Sequence, residues 1–234
     1  MKIACVVMAA GASTRFGESK LTKLFCSRPM FEYALDALPG DKLWRVAVVS
    51  GKKEILDEAE KRGFISVLND KPEEGPPRTI RLGLEALDGA DAAMFMVADQ
   101  PLLTRCSVSL EIEHFIKHSD NIVAMGKGDR RGNPVIFPKC YFAELSTLKG
   151  ERGGGVVMAR HEDKLILYQL ENEAELMDID TAEDWIKLER QEKDGVQGNK
   201  GNDNNGGGMW QAQYTGRPRY YHRCFRNNTG DIRI

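Results

Sequence analysis

Apolar residues arrive along this chain in two rhythms. The first is a short, nearly unbroken run rich in β-branched residues: "KIACVVMAA" over 2–10, "WRVAVVS" over 44–50, "FISVLND" over 64–70, "DAAMFMVADQP" over 91–101 and "NIVAMG" over 121–126. Side chains alternate between the two faces of a strand, so runs apolar at successive positions predict strands covered on both faces. The second rhythm is the spacing of a helix with one buried stripe, as in Met30, Phe31, Ala34, Leu35 and Leu38. "KEILDEAEKRG" predicts a helix stopped at Gly63, "PPRTIRLGLEALDG" one that opens on prolines and ends at Gly89, and "SVSLEIEHFIKHS" a third. "GGGVVMARH" and "AEDWIKLERQ" predict two further helices, with "KLILYQL" a strand between them. "GNPVIF" is extended, and its proline, which cannot donate to a ladder, predicts an edge strand or a strand start.

Strands alternating with helices of these lengths predict an α/β fold of Rossmann-like type, a mostly parallel sheet with helices on both faces. In such open sheets ligands bind beyond the carboxyl ends of the strands. The glycine turn after the first strand and Asp99 after the fourth both fall there, which ties them to one site. The pattern covers residues 1–190. From 191 to 234 it is replaced by a Gly/Asn-rich run and a basic, aromatic segment with neither period, which predicts a disordered tail. Such a segment can also stack on single-stranded nucleic acid. The body of the chain shows no basic patch to support it.

Charge and cysteines narrow the setting. The 234 residues carry 33 Lys plus Arg against 35 Asp plus Glu, a net charge of −2, so nothing global favours nucleic acid or an anionic membrane as partner. The five cysteines are scattered without a C-x-x-C pair, which suggests neither a disulfide framework nor a zinc knuckle. Cys26 and Cys140 are read as buried packing. The first apolar run is too short to span a membrane, and the expected location is the cytoplasm.

The segment "VVMAAGASTRFGESK" carries the chemistry. Gly11 has no Cβ to block backbone amides from phosphate oxygens, Ser13 and Thr14 add hydroxyl donors, and Arg15 and Lys20 add charge. The spacing matches neither the dinucleotide G-x-G-x-x-G nor the P-loop, whose second glycine position is Phe16. Exposed charges on an ordinary strand-to-helix loop are the alternative. A carboxylate after a buried strand, Asp99, is poorly solvated without a cation, and Mg²⁺ suits it; a turn or helix-cap aspartate is the alternative. In "MDIDTAEDW", Asp178 and Asp180 lie on one face of an extended segment, and Asp180 with Glu183 also fits a capping box. His114 and His118, four apart on a helix, have a zinc-compatible spacing but no third ligand nearby in sequence.

Taken together these segments resemble the molybdenum cofactor nucleotidyltransferases. "MAAGASTRFGESK" is similar to their L-A-A-G-x-S-x-R-[MF]-G-x-x-K signature, "VADQPLLT" to their metal-aspartate segment, "RGNPVIF" to G-x-P-x-x-F, and "DIDTAEDW" to D-x-D-T-x-E-D. The resemblance implies a Mg²⁺-dependent nucleotidyl transfer with CTP and a molybdopterin-type acceptor as substrates. It implies cytidylyl rather than guanylyl transfer because Ala9, Ala10 and Gly11 stand at the turn. A sugar-phosphate nucleotidyltransferase and a non-catalytic accessory protein of a molybdenum hydroxylase are the alternatives. By resemblance, Ala9, Ala10, Gly11, Ala12, Ser13, Thr14 and Arg15 wrap the phosphates, and Arg15 stabilises the leaving pyrophosphate. Lys20 neutralises the α-phosphate, and Asp99 with Asp180 holds the metal. Gly75, Thr79 and Gly83 lie near the base, with Pro77 where the family has serine. Arg131, Asn133, Gly153 and Gly154 face the acceptor; a solvated turn is the other reading of the Arg130–Arg131 pair.

Overall fold

The computed structural model describes residues 1–11, 20–181 and 183–188, together with the backbone of two short strands near the C-terminus. Ala12, Ser13, Thr14 and Arg15 lie outside the described residues, as does the 191–234 tail apart from those strands. In chain order the elements are β1 (Ile3–Met8), β2 (Leu24–Phe25), β3 (Arg28–Pro29), α1 (Met30–Asp36), β4 (Arg45–Ser50), α2 (Lys53–Lys61), β5 (Ile65–Leu68) and α3 (Pro76–Ala86). Next come β6 (Ala92–Val97), α4 (Arg105–Lys117), β7 (Ile122–Lys127), β8 (Arg130–Pro138), α5 (Phe142–Ser146), α6 (Gly155–Arg160) and β9 (Leu165–Gln169). A helix over 183–188 follows, and β10 (Phe225–Arg226) pairs antiparallel with β11 (Ile232–Arg233). Among the described residues, no helix is long and apolar enough to cross a membrane.

Seven strands make one sheet in the order β5-β4-β1-β6-β8-β7-β9. Six point the same way; β8 alone runs antiparallel to its neighbours β6 and β7. The doubly apolar strands find helices on both faces. Ile3, Cys5 and Val7 of β1 join Leu35 of α1, Ile55 of α2 and Ile112 of α4 in one layer. Ala4 and Val6 join Ile80 of α3, Leu145 of α5 and Val157 of α6 in the other. Gly83 makes the second layer possible: a Cβ there would fall 2.4 Å from Cγ1 of Val6. Gly83, which the resemblance implies lies near the base, is a point of close helix-to-strand approach.

Two expectations are corrected. "GNPVIF" is no edge strand, since β8 lies between β6 and β7. Pro134 is tolerated there because it falls in a gap of the ladder. The β7–β8 register shifts between Ala124 and Gly126, and pairing with β6 begins at Val135, so no partner strand asks Pro134 for an N–H. Cys26 and Cys140 are exposed, not core residues.

Cys26 occupies the two-residue turn between β2 and β3. It has φ 46° and Ser27 φ 67°, the positive pair of a type I′ hairpin turn. Neither residue is glycine or asparagine, so each bears the Cβ cost of left-handed backbone, about 1 kcal/mol or more per residue. Ser27→Gly is therefore expected to raise the melting temperature by about 2–4 °C, read by thermal denaturation.

Candidate active site

The site lies where β1 and β6 end side by side. Beyond β1, Ala9 donates its N–H to Val49 O (2.9 Å) while its carbonyl accepts from the buried Ser50 hydroxyl (2.9 Å). That fixes the start of the glycine turn against the end of β4. Beyond β6, Ala98 N–H donates to Met8 O (3.3 Å), holding Asp99 beside the same turn. Here opens a cavity of about 700 Å³ lined in part by Ala10, Gly11, Lys20, Thr79, Asp99 and Asp180.

Three charged groups that are distant in sequence meet on its floor. Lys20 Nζ donates to Asp99 Oδ2 at 2.7 Å and to Asp180 Oδ1 at 2.6 Å. The lysine is 8% exposed as a residue, so it has few other places to put its charge. Burial alone would lower its pKa; the two carboxylates outweigh that and raise it above the ordinary lysine value. Asp99 Oδ1 is buried and has no hydrogen-bond partner among the described residues.

A second set of contacts places Asp180. Its segment is fastened to the Asp99 loop by Ile179 N–H to Asp99 O (3.1 Å) and by Gln100 Nε2 to Asp178 Oδ1 (2.9 Å). Upstream, the buried Glu175 carboxylate accepts from Thr104 N–H (2.9 Å) at the N-terminus of α4. Asp178 keeps an exposed edge, yet desolvation on its other side, then the nearby Asp99 charge, pushes its pKa up to about 6. The capping role sits one residue later than the sequence suggests. Thr181 N–H donates to Asp184 Oδ2 (2.9 Å) and Asp184 N–H to Thr181 Oγ1 (3.2 Å), a reciprocal box that leaves the Asp180 carboxylate to the cavity.

The far wall is formed by two loops in contact. Gly75 has φ 78°, and a Cβ on it would come within 3.0 Å of Gly150 O. Pro72, Glu73 and Glu151 line the cavity beside this junction. Thr79, 4% exposed, is held by Asn69, whose Nδ2 donates to Thr79 Oγ1 (3.2 Å) while its Oδ1 accepts from Arg78 Nε (3.0 Å) and Lys71 N–H (3.1 Å). That network engages one lone pair of the Thr79 hydroxyl and fixes its position at the cavity wall.

Other sequence candidates lie apart from this cavity. Gly83 is in the core. Gly153 and Gly154 are packing glycines: a Cβ would meet Pro76 Cβ at 3.3 Å or the Phe137 ring at 3.2 Å. Arg131 pairs with Glu162 (2.9 Å) on the surface, and Asn133 precedes the cis Pro134 in β8. His114 and His118 lie ring to ring at 4.6 Å, with Tyr168 against His114. Asn69, Glu73, Gln100, Glu151 and Glu175 went unnoticed in the sequence. Asn69 and Gln100 had a signal, since each is a polar residue directly after a strand or beside Asp99.

The described lining carries one ammonium, Lys20, against four carboxylates, Glu73, Asp99, Glu151 and Asp180. A polyphosphate cannot settle on such a floor without added cations, and oxygen donors of this kind suit a hard divalent ion. The orphaned Asp99 oxygen is where such an ion would find an unused ligand.

Comparison with known proteins follows the same line. The family profile of the MobA-like NTP transferase domain matches residues 5–165. A probable molybdenum cofactor guanylyltransferase of Bacillus subtilis is 28% identical over 197 residues, covering 81% of this chain and 96% of the relative. A nucleotidyl transferase from Methanothermobacter superposes with a TM-score of 0.70 at 18% identity, covering 81% of this chain and 97% of that one. Rv0371c of Mycobacterium tuberculosis, solved in complex with manganese, superposes with a TM-score of 0.60 at 19% identity, covering 80% and 98%. At these identities the two structures speak to the fold alone.

Proposed function

Because the chain belongs to the family of MobA-like NTP transferase domains, we propose that it transfers CMP from CTP to a molybdopterin-type acceptor and releases pyrophosphate. The observation that carries this reading is the meeting of Asp99 and Asp180 on Lys20, at the floor of a cavity that opens on Gly11.

Asp99 and Asp180 would hold a divalent ion, for which Mg²⁺ is the proposed identity and the manganese in Rv0371c the precedent. When bound, the ion neutralises charge building on the α-phosphate and the leaving pyrophosphate. The chain's own share is positioning. Backbone amides around Gly11, with Ser13, Thr14 and Arg15, grip the β- and γ-phosphates, and Lys20 meets the α-phosphate. A terminal phosphate oxygen of the acceptor attacks the α-phosphorus in line, the bond to the β-phosphate oxygen breaks, and pyrophosphate carries away the electron pair. No covalent enzyme intermediate is needed, so orientation and charge complementarity supply the rate. Thr79 offers a donor to the base, and the Glu73 and Glu151 carboxylates stand ready to accept from an exocyclic amino group. Delivery of the product to a molybdenum hydroxylase is the proposed downstream step.

Guanylyl transfer is the second reading, favoured by the Bacillus relative. Ala10 decides between them in this account. Ala10 lines the cavity; by the resemblance, guanylyl-transferring members carry glycine at this position, and in this reading the added methyl narrows the room left for a purine nucleotide. Pyrophosphate release with CTP, GTP and ATP in turn, each with molybdopterin and Mg²⁺, tests the reading. CTP is expected to support the fastest release, and Ala10→Gly to shift the CTP-to-GTP ratio of kcat/KM toward GTP by about tenfold, the size of a methyl-group discrimination. GTP preference in the wild-type protein would reverse the assignment.

A further inference from the structure

Lys20 touches both carboxylates that the proposed function assigns to a metal, and it does so at ion-pair distance. Its Nζ stands 2.7 Å from Asp99 Oδ2 and 2.6 Å from Asp180 Oδ1. A divalent ion held by these two carboxylates would draw on the negative charge that Lys20 neutralises, with Asp99 Oδ1, unpartnered among the described residues, as a further ligand. Ammonium and divalent ion therefore compete for the same pair of carboxylates.

We infer that Lys20 is a tethered stand-in for the divalent ion, holding Asp99 and Asp180 in the nucleotide-free protein and releasing them when a triphosphate draws it away. The inference rests on the metal reading of these two carboxylates. Three features favour an exchange over a permanent ion pair. Lys20 opens a single 3₁₀ turn, Lys20–Thr22, directly after the phosphate-binding turn, so an arriving polyphosphate competes for the same ammonium. Its flexible four-carbon stem lets the charge swing without moving the backbone. The backbone segments that carry the two carboxylates, in contrast, are held by contacts that do not involve Lys20: Ile179 N–H to the Asp99 backbone carbonyl, Gln100 Nε2 to Asp178, and Thr104 N–H to Glu175. When the lysine leaves, both segments stay in place and the two carboxylates lose their counter-charge.

The consequence is linkage. Without nucleotide, an incoming metal ion competes with a buried ammonium and binds weakly; with nucleotide the ammonium is engaged elsewhere and both carboxylates are free to the ion. Metal and triphosphate then strengthen each other's binding by the same factor. This delays loading of a reactive metal centre until a substrate is there to use it.

Mn²⁺ alone, titrated into the full chain without nucleotide and followed by electron paramagnetic resonance of the free ion, isolates the exchange from catalysis. Lys20→Met is expected to bind Mn²⁺ on the order of tenfold more tightly than wild type, because two adjacent carboxylates lose their counter-charge. Lys20→Gln, a polar variant less exposed to misfolding, is expected to behave as Lys20→Met, and Lys20→Arg to keep the weak wild-type affinity. Adding Asp99→Asn to Lys20→Met is expected to erase the gain. The inference is overturned if both uncharged variants bind no more tightly than wild type, if Lys20→Arg binds as tightly as Lys20→Met, or if the double variant keeps the gain. Active wild-type protein with unchanged Mn²⁺ affinity in both uncharged variants would sink the exchange alone; failure of transfer with every nucleotide would sink the functional reading.

Discussion

Asp99→Asn is expected to lower nucleotidyl transfer by on the order of a thousandfold while leaving the fold intact. The change is isosteric, and the amide oxygen can still accept from Lys20 Nζ, which Asp99 now contacts at 2.7 Å. The backbone tie from Ile179 N–H to the carbonyl of residue 99 is untouched. What disappears is one formal charge and an ionic oxygen, Oδ1, that is buried without a partner among the described residues. A carboxylate is a far better ligand than an amide for a hard divalent ion, so the loss falls on metal binding and on transfer, not on packing. Pyrophosphate release measures the first effect, and a thermal melt within a few degrees of wild type checks the second. Wild-type turnover from folded Asp99→Asn protein would remove the metal assignment.

The second large effect lies in the core. Glu111, on α4, is fully buried, and neither carboxylate oxygen has a hydrogen-bond partner of ordinary geometry among the described residues. The Met125 amide at the bulge of β7 approaches it, and its charge acts on Cys5 of β1 and Tyr168 of β9. Burial pushes its pKa well above the carboxylate range, and the Met125 amide pulls back only in part. The folded protein therefore keeps this proton at pH values where the unfolded chain has lost it. Stability is undiminished below the unfolded carboxylate value and falls as pH rises toward the folded one, by about 1.4 kcal/mol per pH unit at most. Glu111→Gln removes that slope. Its melting temperature is expected to match or fall slightly below wild type near pH 4 and to exceed it at pH 8, each kcal/mol moving the melt about 2–4 °C. The slope, not the offset, carries the prediction, because glutamine also buries an amide. Parallel melting profiles for the two proteins would contradict it.

Much of the fold was legible because burial on both faces leaves a plain mark. In 92–97 every residue is apolar, and in 105–117 Val108, Ile112 and Phe115 fall on one stripe. The position of β8 was not legible. Pro134 argues locally for an edge, and only the register shift opposite it explains how a proline enters the interior of a sheet. The site divides the same way. Asp99 stands next to a strand end and Lys20 closes the glycine-turn motif, so both announce themselves, whereas the choice between Asp180 as cap and as cavity carboxylate depends on Thr181 and Asp184 closing the cap between themselves. Gly83, Gly153 and Gly154 carry a second meaning that the sequence did not show. A glycine within a familiar motif reads as room for a ligand, but here each makes room for a neighbouring side chain. The contacts of Gln100 and Glu175 span more than seventy residues and leave no local pattern to read.

The most direct test of the whole account follows the phosphorus atom. With CTP labelled at the α-phosphate, molybdopterin and Mg²⁺, the protein is expected to move the label onto the pterin and to release unlabelled pyrophosphate in equal amount, and Asp99→Asn to do neither. Label that stays on the nucleotide, whichever base is offered, would contradict a transferase built on Lys20, Asp99 and Asp180.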